Sequence, residues 1–190
     1  MSATQEPIRL AEIFRFLAQT MRYPESSWFT DDFLSVFKEL LVQLGHVPQK
    51  SLPEKITDVT LEEIQVDYTR LFINGVPHVV APPYASIYID GTLNSTTADK
   101  TREYFRSHGF DITTNEFPDH LVTELDFIAL LEDEKQGSSE EFLRLYFRPW
   151  FAKFRDLVLA EAEVSYLKTA VEVIDFFTRI ETEADSGQAA

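Results

Sequence analysis

Five side chains able to handle protons or cations crowd one short stretch of this chain, Asn115-Glu116-Phe117-Pro118-Asp119-His120-Leu121-Val122-Thr123-Glu124-Leu125-Asp126-Phe127. An imidazole flanked by carboxylates can relay a proton, ligate a metal or take part in binding a cationic guest. Each chemistry makes its own demand. A metal-holding helical bundle wants Glu-x-x-His on two helices, and none of His46, His78, His108 or His120 has a Glu three residues before it. His120 and Glu124, four apart, could supply two ligands, although such a pair more often forms a surface hydrogen bond. Nucleophilic catalysis needs a Ser or Thr beside a base and an orienting acid. Sequence order leaves such a triad open and nothing supports it. A cation-binding rim needs only exposed carboxylates, and Glu116, Asp119 and Glu124 are the candidates.

The elements that must carry these groups are helical. Pro118 suits a first helical turn, because its fixed φ matches the helix and its missing N–H would have no partner there. Asp119 favours the positive helix end. From Leu121 the apolar positions Leu121, Leu125, Phe127, Ile128 and Leu131 recur at helical spacing, which leaves Asp119 and His120 on an exposed first turn with Glu124 on the face of His120. Proline, aspartate and stripe have a structural explanation. Glu116 and His120 have none, so they call for a functional one.

Helical patterning dominates the rest and predicts an all-α, single-domain bundle over residues 1–190. A first helix is expected from Ile8 to Met21, stopped by Pro24. A second, capped by Asp31 or Asp32, carries Phe33, Val36, Phe37, Leu40, Leu41 and Leu44 and ends at Gly45. Thr60-Leu61-Glu62-Glu63 reads as a capping box opening a third helix that reaches Phe72. Between Ile73 and Leu93 the period vanishes, and Gly75, Pro77, Pro82, Pro83 and Gly91 forbid a continuous helix. That segment keeps Val79, Val80, Tyr84, Ile87 and Tyr88, so a long irregular crossover packed on the body is expected, with short strand pairing the lesser alternative. Ser95-Thr96-Thr97 supplies caps for a helix ending near His108 and terminated by Gly109. Beyond a break at Gly137-Ser138-Ser139, a run from Glu140 is restarted or kinked by Pro149, and a last helix spans Tyr166 to Phe177. The tail, 181–190, is expected to fray.

Composition narrows the function classes. The absence of cysteine excludes disulfides, thiolate catalysis and Cys-based metal sites. The first residues lack the basic start and apolar run of a secretory signal, and no apolar run is long enough to cross a bilayer; a cytoplasmic location fits. A net charge of −15 repels polyphosphates and attracts cations or basic peptides, so nucleic acid is not an expected partner. No P-loop or dinucleotide fingerprint occurs, and no cofactor is called for. Among sixteen Phe and seven Tyr, Tyr68, Tyr84 and Tyr88 flank the irregular segment, where a phenol can line an apolar groove and still meet a polar ligand.

Two separated motifs together resemble the TorD/DmsD family of redox-enzyme maturation chaperones, relatives of the NarJ type. One is Tyr68-Thr69-Arg70-Leu71-Phe72 followed by Pro82-Pro83-Tyr84-Ala85-Ser86-Ile87-Tyr88; the other is Glu116-x-Pro118-Asp119-His120. Pro149-Trp150 with Phe154, then Tyr166, is a weaker echo. The resemblance implies a helical chaperone, not an enzyme, that binds the precursor of a molybdopterin-containing oxidoreductase subunit through its twin-arginine signal and holds it for cofactor insertion and export. It implies peptide-contacting roles for Tyr68, Leu71, Phe72, Pro83, Tyr84, Ser86, Tyr88, Glu116, Pro118, Asp119, His120 and Glu124. Some family members also bind guanine nucleotide and swap segments between subunits; the sequence itself supports neither, and monomer and segment-swapped dimer both stay open. The competing class is a helical-bundle enzyme, hydrolytic or metal-dependent, using His120 with Asp119 and Glu124.

Overall fold

The computed structural model describes residues 9–44, 58–76, 78–113, 115–134 and 139–179. In chain order the helices are α1 (Leu10–Thr20), α2 (Asp31–Leu44), α3 (Leu61–Tyr68), α4 (Ala85–Ile89), α5 (Thr96–Ser107), α6 (Leu121–Asp133), α7 (Ser139–Phe142), α8 (Arg148–Glu161) and α9 (Ser165–Thr178). Wide π turns extend two of them, Thr69–Ile73 after α3 and Leu143–Phe147 between α7 and α8. Among the described residues the fold is all-α, with one isolated bridge, Tyr84 to His120, as its extended pairing. The expected Gly45 stop, the 137–138 break and the tail lie outside the described residues.

Local signals account for most helix starts and stops. At α3 the Thr60 Oγ1 accepts from Glu63 N–H at 3.2 Å while the Glu63 carboxylate accepts from Thr60 N–H at 2.8 Å, the reciprocal box its sequence predicts. Gly109 takes a left-handed φ of 83° just past α5. For α2 the cap is Thr30, whose Oγ1 accepts from Phe33 N–H at 3.3 Å; Asp31 and Asp32 instead occupy the first turn, where their charge suits the helix end. The π turn before Pro149 widens the backbone where a proline ring would otherwise meet the preceding turn, and the run continues through the proline without ending.

The chief packing is of α1 along α6, with α8 on α9 and α4 resting on α5 and α8. Phe14, Leu17, Leu121, Leu125, Ile128, Trp150, Phe154, Tyr166 and Ile174 sit in one continuous buried core. Two buried phenols tie off the last carbonyls of α1, which have no partner within the helix: Tyr166 OH donates to Thr20 O at 2.9 Å and Tyr68 OH to Met21 O at 2.9 Å. Gln65 of α3 adds a bond to Pro24 O at 2.7 Å. The loop leaving α1 is thereby held from α3 and α9.

The segment after α3 departs from expectation. It contains a short helix, α4, begun directly after Pro83-Tyr84 rather than excluded by the prolines, because both prolines precede it and neither must donate a helical hydrogen bond. Gly75 is required by close approach: a Cβ there would meet His78 O at 2.4 Å.

Candidate functional site

The two sequence motifs are stitched together. Ala85 N–H donates to Asp119 O at 2.9 Å and Leu121 N–H to Pro83 O at 2.9 Å, forming the antiparallel bridge between Tyr84 and His120. The Asp119 carboxylate accepts from Ser86 N–H at 2.8 Å across 33 residues of chain. Asp119 therefore serves α4, not the start of its own helix. Pro118 and Asp119 precede α6, whose cap is His120: its Nδ1 accepts from Val122 N–H at 3.2 Å. The expected exposed first turn is thus a buried joint, because α4 covers it. Pro83, Pro118, Ser86 and Asp119 are all buried.

Burial pulls the His120 imidazole down to about 4, with the Arg22 cation adding to the effect. The ring is neutral at pH 7, and since Nδ1 accepts, the proton sits on Nε2. His120 offers a hydrogen-bond donor without charge.

Glu124 also differs from its expected place on a rim. It is fully buried, and its carboxyl accepts from Trp150 Nε1 at 3.0 Å. Burial holds that carboxyl well above the ordinary 4.5, with Asp119 reinforcing the shift and the Trp150 bond opposing it. The cause lies in α6 itself, which is apolar around most of its circumference and so gives Glu124 no wet face. Tyr88 stacks on Trp150, ring centroids 5.6 Å apart, and burial raises its phenol. Leu71 and Phe72 are core, with Phe72 against Tyr68 at 4.8 Å and Phe154 at 5.8 Å.

An open cleft of about 610 Å³ lies where the loop leaving α1 faces α3 and the start of α6, lined by Gln19, Met21, Arg22, Tyr23, Glu25, Trp28, Tyr68, Glu116, His120 and Val122. Of the expected peptide-contacting residues, Tyr68, Glu116 and His120 meet here. Tyr84 stands just behind, its ring 5.0 Å from that of His120 and 5.6 Å from Phe117. Leu71, Phe72, Pro83, Ser86, Tyr88, Pro118, Asp119 and Glu124 support the cleft from beneath or lie away from it. Sequence reasoning missed Arg22, Tyr23, Glu25 and Trp28. The available signal was Arg22-Tyr23-Pro24-Glu25, a cation, an aromatic and an acid packed around a helix stop that needs only the proline.

No hydrolytic relay is assembled at His120. The Asp119 carboxylate that would orient the imidazole is turned to Ser86, and Glu124 is turned to Trp150. Among the described residues no three His, Asp or Glu side chains gather as a metal-holding group, and no helix is long and apolar enough to cross a membrane.

Residues 37–156 match the family described as nitrate reductase delta subunit, well over half of the chain. The chain belongs to the nitrate reductase delta subunit family. Within reach of this delta subunit family member are curated relatives named chaperone protein TorD. That of Actinobacillus succinogenes is 34% identical over 130 residues, covering 63% of this chain and 66% of the relative. That of Vibrio cholerae is 40% identical over 72 residues, 36% of this chain and 32% of the relative. The matched stretches therefore span less than two thirds of these relatives' own length. A solved structure from Archaeoglobus fulgidus, described as a redox enzyme maturation protein, shares the fold at a TM-score of 0.65 and 24% identity, covering 94% of this chain and 100% of that one. The resemblance to TorD carried by the two motifs is borne out.

Proposed function

We propose that this protein is a maturation chaperone that binds the precursor of a redox-enzyme subunit, and that the cleft between the α1 exit loop, α3 and α6 receives a peptide bearing arginine beside apolar residues. The carrying observation is the lining: Tyr23, Trp28 and Tyr68 give aromatic surface, with Glu25 and Glu116 as carboxylates at the same opening. Guanidinium groups bind carboxylates and stack on aromatic faces, so one cleft can take both parts of such a peptide. The curated TorD relatives support the chaperone reading. The family resemblance supplies the finer client: a molybdopterin-containing oxidoreductase subunit recognised through its twin-arginine signal in the cytoplasm, before cofactor insertion and export.

The test is a titration with a synthetic peptide carrying two adjacent arginines followed by apolar residues. Affinity is expected to fall with rising salt, since screening limits exposed charges to about 8 Å at physiological ionic strength. It is also expected to fall in Glu25→Gln plus Glu116→Gln. Wild-type affinity in that folded double variant, or one affinity at every salt concentration, overturns the reading.

A further inference from the structure

The cleft already holds a guanidinium of its own. Arg22, one of the lining residues, leaves the C-terminal end of α1 and places Nη2 2.6 Å from Asp126 Oδ2 on α6. Asp126 lies one helical turn beyond Val122, another lining residue, and so on the same face. Both partners are accessible, with side chains 39% and 41% exposed. Burial raises the Asp126 carboxyl, Arg22 opposes that, the negative charge of Glu116 raises it further, and the more distant Arg15 lowers it. Arg22 and Glu116, which line the cleft, thus share one electrostatic neighbourhood with Asp126 beside it.

The Arg22–Asp126 contact is not needed to fix the end of α1, because Tyr68, Tyr166 and Gln65 already bind the carbonyls of Met21, Thr20 and Pro24. We propose that Arg22 is an intramolecular occupant of the guanidinium site of the cleft, and that a cationic guest must displace it from Asp126 to bind. This rests on the cleft as the peptide site. In the free protein the bond shields Asp126 from cations in general; an arginine-bearing segment whose apolar part also fits the aromatic surface gains enough to exchange with it. Arg22 in this way sets the threshold between any basic peptide and the right one.

The test titrates the paired-arginine peptide, and its twin with both arginines changed to alanine, into wild type, Arg22→Gln, Asp126→Asn and the double variant. Arg22→Gln is expected to tighten the paired-arginine peptide about two- to fivefold, the scale of an exposed ion pair. It should leave the alanine peptide unchanged, and the gain should vanish in the Asp126→Asn background. Arg22→Met, which keeps an apolar stem, gives the same comparison should the glutamine variant fold poorly. Arg106→Gln on α5, whose partner is Asp111, makes the same change in net charge and is expected to have no effect. Equal or weaker binding by Arg22→Gln while wild type binds overturns the proposal and leaves the cleft reading standing. So does an equal gain from Arg106→Gln. Binding of the peptide by none of the proteins overturns the cleft reading and this proposal with it.

Discussion

Two joints in this molecule bury carboxylates, and they do so in opposite ways. At the first, Asp67 of α3 reaches the start of α9. Its Oδ1 accepts from Arg70 at 2.6 Å, and its Oδ2 accepts from the N–H groups of Glu163 and Val164 at 2.8 and 2.9 Å. Arg70 also donates to Glu161 O at 2.6 Å, at the end of α8. At the second joint, where α4, α6 and α8 meet, Asp119 and Glu124 each engage one oxygen, with Ser86 N–H and Trp150 Nε1. Asp119 Oδ1, Glu124 Oε1, Ser86 Oγ and Tyr88 OH have no hydrogen-bond partner among the described residues. The first joint is charged and saturated; it staples α3 to the α8–α9 turn, and the positive end of α9 favours the anion. The second is under-satisfied, and His120, next to Asp119 in the chain, is the residue that links it to the cleft. A saturated joint recovers the cost of burying its charge, whereas each unmet buried polar group in the second carries a cost in stability.

Removing the charge at the saturated joint should have the largest effect. Asp67→Asn leaves Arg70 without its anion and weakens two backbone bonds, so a loss of about 3 kcal/mol is expected in chemical denaturation. A loss under about 1 kcal/mol would erase the distinction between the joints.

Asp119→Ala comes next. It strips the acceptor from a buried N–H at the start of α4, for an expected cost of about 2 kcal/mol. Any weakening of peptide binding should follow loosening of α4 and not direct contact, so binding by the folded fraction should survive.

A smaller change is expected from Glu124→Gln, which keeps an acceptor for Trp150 Nε1 and replaces a carboxyl already held toward its neutral form, for a difference below about 1 kcal/mol at mildly acidic pH. The sign with pH is definite. A carboxyl raised in the folded state binds more protons there than when unfolded, so wild type loses stability as pH climbs from the ordinary carboxylate value of 4.5 toward the raised folded value. Glu124→Gln should flatten that slope and gain on wild type at neutral pH. Parallel stability–pH profiles for the two proteins would show that Glu124 is charged in the folded state.

The smallest effect on stability belongs to the cleft rim. Exposed Glu116→Gln should stay within about 0.5 kcal/mol of wild type, with its consequence in peptide affinity. A large drop in melting temperature would move Glu116 from rim to framework.

Much of the scaffold is legible residue by residue. The stripe Leu121, Leu125, Phe127, Ile128 and Leu131 is buried throughout, as its spacing predicts. Yet Val36, expected on the apolar face of α2, is 52% exposed, because periodicity marks a face without saying how wide a neighbour will cover it. The candidate cleft was legible in part. Tyr68, Glu116 and His120 meet in the cleft, while Arg22, Tyr23, Glu25 and Trp28 went unread because they sit in a loop with no period to mark them.

Sequence by itself determined what neighbours within one turn can settle: the Thr60–Glu63 box, the left-handed stop at Gly109, the apolar stripe of α6, and two motifs specific enough to point to a family. Tertiary packing alone decided which polar groups lost their water. Asp119 reads as a surface residue until α4 lies across it, and Glu124 as the partner of His120 until Trp150 closes over it from α8. The reason is physical. Helix propensity and capping depend on hydrogen bonds closed within a few residues, whereas burial, and the charge state that follows from it, depends on which distant element fills the space above a side chain.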